Sequence, residues 1–86
     1  MQKTKLLQRV RNNPVNVRFA DLCKLAEYVG FRFRGRRGSH RVYTHPHVRE
    51  ILNFQNVGGK AKAYQVRQFL AILDRYGIEL DLRRMS

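Results

Sequence analysis

The sequence predicts an α+β domain in the order α-β-β-β-α, a three-stranded antiparallel sheet with both helices on one face, preceded by a short N-terminal helix. Three observations lead there. Two stretches carry apolar residues at helical spacing, three short runs lie between them, and a glycine followed by an apolar residue closes each helical stretch. At 86 residues the chain is too short for a second hydrophobic core, so one domain is expected. Its apolar share of 43% is that of a folded protein.

Leu6, Leu7 and Val10 recur at helical spacing among basic residues, and Asn12-Asn13-Pro14 ends that stretch because these residues favour turns. Residues 1–17 therefore read as a helical extension and 18–86 as the domain proper. A first full helix is predicted from Arg18 to Val29, with Phe19, Leu22, Cys23, Ala26 and Val29 on its buried face. Asp21 in its first turn suits the helix dipole. Gly30 supplies a left-handed stop, with Phe31 covering the end.

Phe31 to Arg34 alternates apolar and basic residues and predicts a first strand, with Phe33 in the core. Gly35-Arg36-Arg37-Gly38 is expected to turn the chain. Ser39 to Thr44 form the second strand, His45-Pro46-His47 the next turn, and Glu50 to Gln55 the third strand, with Leu52 and Phe54 on one face. Asn56-Val57-Gly58-Gly59 opens a flexible loop into Lys60-Ala61-Lys62. A second helix is predicted over Ala63 to Tyr76, with Val66, Phe69, Leu70 and Leu73 inward, and Gly77-Ile78 repeats the stop. The tail adds a short extended piece through Ile78, Leu80 and Leu82. One sheet face stays open, as in double-stranded-RNA-binding domains, which read phosphates and 2′-hydroxyls.

Charge points to the partner. Eighteen Lys and Arg against six Asp and Glu give a formal charge of +12. Self-repulsion of that size destabilises a free chain and suits a polyanion. No acid occurs from Tyr28 to Arg49, while Arg32, Arg34, Arg36, Arg37 and Arg41 crowd ten residues. A solvated basic face without a partner is the competing reading. Cys23 is the one cysteine, which excludes an intrachain disulfide. Without a signal peptide or long apolar run, a cytoplasmic protein with no membrane attachment is expected.

Cutting RNA without a metal needs a base for the 2′-hydroxyl proton, an acid for the leaving 5′-oxygen and cations around the phosphorane. Histidine serves either proton role. His40 begins a strand directly after a glycine turn, with Arg36, Arg37 and Arg41 as sequence neighbours. From spacing alone it reads more readily as a surface histidine on a strand. Strand parity sets His40 with Val42 and Thr44, and Arg41 with Tyr43, without saying which face is buried; a bulge at Ser39 would free His40 from that parity. His40, His45 and His47 do not amount to a metal set, since three or four converging ligands are needed and Cys23 lies in an apolar stripe. Lys60 and Lys62, beside glycines and a helix start, are phosphate-contact candidates.

The run Gly38-Ser39-His40-Arg41-Val42-Tyr43, preceded by Val29-Gly30-Phe31 at a helix end, resembles the signature of the HicA toxins. The likeness continues through His45-Pro46, Gly58-Gly59-Lys60 and the second helix, covering about Arg18 to Ile78. It implies a fold like that of double-stranded-RNA-binding domains, a metal-independent endoribonuclease (an mRNA interferase) without a cofactor, and His40 as the catalytic residue. It also implies a HicB-type antitoxin partner. Residues Met1 to Val17 extend beyond the family pattern, and Gln55-Asn56-Val57 stands where many members carry a histidine. The RNA-binding set expected from charge and motif together is Arg32, Arg34, Arg36, Arg37, Gly38, Ser39, Arg41, Lys60 and Lys62. The competing functions are a non-catalytic RNA-binding module of the same fold and a DNA-binding regulator, the latter without a recognisable helix-turn-helix.

Overall fold

The computed structural model describes residues 3–79. Its elements are α1 (Lys3–Asn12), α2 (Phe19–Tyr28), β1 (Arg32–Arg37), β2 (His40–His45), β3 (Val48–Val57), β4 (Lys60–Ala61) and α3 (Ala63–Tyr76). The strands form one antiparallel sheet in the order β1-β2-β3-β4. The α-β-β-β-α order holds, with a two-residue fourth strand added where the sequence suggested a loop at Lys60-Ala61. No helix among the described residues is long and apolar enough to cross a membrane.

Both helix stops form as the residues dictate. Gly30 (φ 100°) and Gly77 (φ 62°) take positive φ. The Gly30 N–H donates to Glu27 O (3.1 Å) and that of Phe31 to Ala26 O (2.9 Å); Gly77 and Ile78 donate likewise to Asp74 O (3.4 Å) and Leu73 O (2.9 Å). These are paired bonds of the Schellman type, closing the last carbonyls of each helix.

Three two-residue turns, Gly38-Ser39, Pro46-His47 and Gly58-Gly59, join the four strands. This corrects the expected turn at Gly35 to Gly38: Arg36 and Arg37 belong to β1 and pair with Arg41 and His40. A turn of two residues suffices because Gly38 (φ 54°) takes the left-handed conformation itself. The register of β1 shifts between Phe33 and Gly35, which leaves Arg34 in a bulge.

The core lies between one sheet face and the helices. Tyr43, Leu52 and Phe54 supply the sheet side, Leu22, Leu25, Ala26, Val66, Phe69 and Leu73 the helix side. Phe69 meets both Phe54 and Phe31 with ring centroids 5.9 Å apart. Phe33 corrects an expectation: it is 50% exposed, whereas Phe31 is 3% exposed. Phe31 closes the end of α2 and is drawn beneath it. Phe33 sits on the edge strand and meets only the rim of the core, edge-on to Tyr43 at 5.7 Å.

The N-terminal segment is built into this core. Leu6 and Val10 of α1 and Val17 of the linker are buried, each such side chain being worth roughly 1.5–3 kcal/mol when removed from water. Arg11 pairs with Asp74 on α3 at 3.1 Å. Residues 17–19 run alongside β4: the Ala61 N–H donates to Val17 O and the Phe19 N–H to Gly59 O, both at 2.9 Å. At the C-terminal end of α3, beside Asp74, Arg75 and Tyr76 hold Glu50 of β3, each at 2.6 Å. The Tyr76 hydroxyl, with Arg75 and Arg49 nearby, keeps the Glu50 carboxyl below its ordinary pKa. Ile78 packs partly buried against the core; Leu80 and Leu82 lie outside the described residues.

Candidate active site

Burial of Tyr43 decides the strand parity. Its face of β2 is the core face, so His40 and Val42 stand on the open face of the sheet. No bulge intervenes at Ser39; the irregularity in the β2–β3 pairing falls between Tyr43 and His45. His40 opens β2 with Arg37 opposite it on β1 and Gln55 opposite it on β3. The turn before it is tethered, because the Asn56 N–H donates to Ser39 O at 2.9 Å. Nothing stands within 4 Å of where a Gly38 side chain would begin. Its positive φ excuses the glycine, and the bare turn leaves the backbone open to a phosphate.

The His40 ring is held by its diagonal neighbour. Its Nδ1 lies 3.0 Å from Asn53 Oδ1, a reach that diagonal cross-strand pairs allow. Asn53 and Gln55 are themselves fixed from behind by Gln65, a polar residue of α3 that is only 6% exposed. Gln65 Oε1 accepts from the Gln55 N–H (2.8 Å) and Gln65 Nε2 donates to Asn53 O (2.7 Å). The carboxamide thus occupies the place of a neighbouring peptide group along β3, next to the short β4. Tyr64, exposed in the first turn of α3, has its hydroxyl 3.4 Å from Gln65 Nε2.

The cations distribute over both faces. Arg37 shares the open face with His40, and the pairing of Arg32 with Thr44 gives it the same side. Arg34 sits in the bulge. Arg36 and Arg41 pair with each other on the opposite side, where they line a hollow with Glu27, Phe33 and Tyr43. The Arg41 guanidinium lies 5.4 Å from the Phe19 ring centroid. Strand alternation therefore separates Arg36 and Arg41 from the His40 ring, although sequence adjacency had grouped them with it. Lys60 lies two strands away from β2, its Nζ hydrogen-bonded to Asn16 Oδ1. Lys62 flanks the start of α3, its ammonium 5.8 Å from the Tyr64 ring centroid.

The other two histidines serve a different purpose. His45 Nε2 donates to Val29 O (3.2 Å), and its Nδ1 accepts from the His47 N–H (3.0 Å). Both nitrogens are engaged, the ring is neutral, and neither lone pair is left for a metal. Burial, with His47 and Arg32 nearby, lowers its pKa, against the bond to Val29. Among the described residues no group of three or more His, Cys, Asp or Glu stands together as a metal set. Burial pushes the Cys23 thiol up, which suits a core residue and not a nucleophile.

The family model described as HicA toxin of bacterial toxin-antitoxin matches residues 19–74, from the start of α2 nearly to the end of α3. The chain belongs to the HicA toxin family. No curated protein and no solved structure matches the chain. The HicA match takes in the whole sheet and His40, and leaves α1 outside.

Sequence reasoning did not single out Asn53 or Gln65. Asn53 carried a signal, since a polar residue between Leu52 and Phe54 must face away from the core. Its pairing with His40 depends on the β2–β3 register. Gln65 stands four residues before Phe69, on the apolar stripe of its helix, and a polar residue there marks a buried hydrogen-bonding task.

Proposed function

We propose that this HicA-family chain is an mRNA interferase, a metal-independent endoribonuclease that uses His40 for proton transfer and a HicB-type antitoxin as its regulator. One observation carries the reading: an oriented, solvent-facing imidazole stands beside Arg37 on the open face of a strongly basic sheet. His40 takes the 2′-hydroxyl proton, the 2′-oxygen attacks phosphorus, and the 5′-oxygen leaves with a proton from water. Arg37 steadies the phosphorane. Arg32, Arg34 and the Gly38-Ser39 turn offer further phosphate contacts, with Lys60 and Lys62 beyond β3. Arg36 and Arg41 bind the strand as it passes around the β1 edge. An open sheet face suits a polymer, and a chain of charge +12 suits an acidic inhibitor. A cytoplasmic location follows from the proposed mRNA substrate.

The test is incubation of the purified protein with RNA in EDTA, comparing wild type with His40→Ala. Wild type should leave 2′,3′-cyclic phosphate or 3′-phosphate ends and a 5′-hydroxyl, and His40→Ala should bind but not cut. Products with 3′-hydroxyl ends, or cutting by His40→Ala near the wild-type rate, overturn the mechanism. Binding without cleavage by wild type would make the chain an RNA-binding module.

A further inference from the structure

We infer that Asn53 is a positioning residue that makes His40 Nε2 the working nitrogen, a step that rests on the proposed function. A carboxamide oxygen can only accept. Contact between His40 Nδ1 and Asn53 Oδ1 at 3.0 Å therefore requires the proton on Nδ1. In the neutral ring the lone pair then sits on Nε2, the nitrogen that has no hydrogen-bond partner among the described residues. That is the form a general base needs, and it assigns His40 the base role in the attack of the 2′-hydroxyl. After proton uptake both nitrogens carry hydrogens, and the bond to Asn53 remains intact, so the ring need not turn during the step.

The acceptor is held as firmly as the ring. Asn53 O and the Gln55 N–H, the two backbone groups that flank Phe54 directly after the acceptor residue on β3, are both bonded to Gln65. His40 itself is fixed by its pairing with Gln55 and by the tether from Asn56 to Ser39. A pair whose two strands are each fixed in this way loses little freedom at the moment of reaction. The arrangement has the logic of a nucleophile-activating histidine oriented by a third group, with a neutral amide as orienter. A carboxylate substituted at position 53 would add a charge that favours the imidazolium.

The test is ¹⁵N spectroscopy of the histidine rings, with cleavage kinetics on the same preparations, for wild type, Asn53→Ala and Asn53→Asp. His40 in wild type should show a protonated Nδ1 and an unprotonated Nε2. Asn53→Ala should relax it towards the tautomer mixture of free imidazole and lower kcat about 10- to 100-fold, less than loss of the base itself, with KM nearly unchanged. Asn53→Asp keeps the acceptor, so it should retain the tautomer and most of the rate and shift the acid limb of the pH–rate profile to higher pH. A wild-type His40 protonated on Nε2, or an Asn53→Ala variant with unchanged tautomer and kcat, overturns the inference. If the tautomer responds as stated but no preparation cuts RNA, the positioning stands and the nuclease reading falls.

Discussion

The two ends of β2 each carry a histidine, and the two could hardly be used more differently. His40 at the start has one nitrogen bonded and the other without a partner among the described residues. His45 at the end has both nitrogens bonded and its ring against Phe31, centroids 5.0 Å apart. It joins the β2–β3 turn to the end of α2. The close approach at Gly30 belongs to the same joint, since a Cβ there would lie 2.9 Å from His45 Nε2. Residue type and strand do not separate a histidine open to proton transfer from a structural one. The count of engaged nitrogens does.

Removing each ring should therefore give opposite phenotypes. His40→Ala is expected to lose about 10²–10⁴ in cleavage rate while its melting temperature stays close to wild type. His45→Ala is expected to lose about 1–3 kcal/mol of stability, with Val29 O stripped of its donor, and to keep its turnover when folded. Chemical denaturation and single-turnover cleavage on both variants check this. A stability loss confined to His40→Ala would reverse the assignment.

Gly30→Ala probes the same joint from the other side. A side chain at φ 100° is strained and collides with the His45 ring, so a loss of about 1–3 kcal/mol is expected. Combining it with His45→Ala should cost less than the sum of the single losses, because the collision partner is gone. Strict additivity in denaturation would show that the two do not share a site.

Acid should weaken this joint. The His45 pKa is lowered in the folded state from 6.5. Its contribution to stability is thus fully present above 6.5 and lost as pH falls through the depressed value, because the unfolded chain binds the proton first. A protonated Nδ1 would also face the His47 N–H. The melting temperature of wild type should fall between about pH 7 and about pH 5, and that of His45→Gln should fall less. Equal slopes would mean that another group titrates.

The smallest effect separates the two faces of β1 and β2. RNA affinity should be electrostatic, with a slope of log affinity against log salt of about −4 to −5 for five to seven contacted phosphates on a single strand. Arg37→Ala should reduce that slope by about 0.7 and also slow cleavage, since Arg37 faces the same side as His40. Arg41→Ala should affect binding alone. Filter binding and cleavage at several salt concentrations distinguish them; an equal effect of both on cleavage would mean that the RNA engages both faces near the reacting phosphate.

Much of this was legible in the residues. The apolar stripes give α2 and α3, and Gly30-Phe31 and Gly77-Ile78 give their ends, because local hydrogen bonding and burial decide them. Alternation could not choose between Phe31 and Phe33, which share a parity; the reach of α2 over the sheet chose. Glycines flanking Arg36 and Arg37 suggested a wider turn than the chain needs. The contact between His40 and Asn53 was hidden because a diagonal pair depends on register, and register follows from turns whose lengths were misjudged. Gln65 was hidden because its partners are backbone groups, which sequence does not display.

The sheet has two borders, and they are defended unequally. Residues 17–19 line β4, and the Gln65 carboxamide occupies the adjoining stretch of β3, so that border offers little to a foreign strand. Among the described residues no strand pairs with the β1 border, but Arg32, Arg34, Arg36 and Arg37 stand along it and a bulge interrupts it. Like charges set edge to edge repel, which is how natural sheets resist aggregation. The arginines that make the chain attractive to polyanions thus also keep free copies from adding to one another's sheets. Any ligand that neutralises them without covering β1 removes that protection.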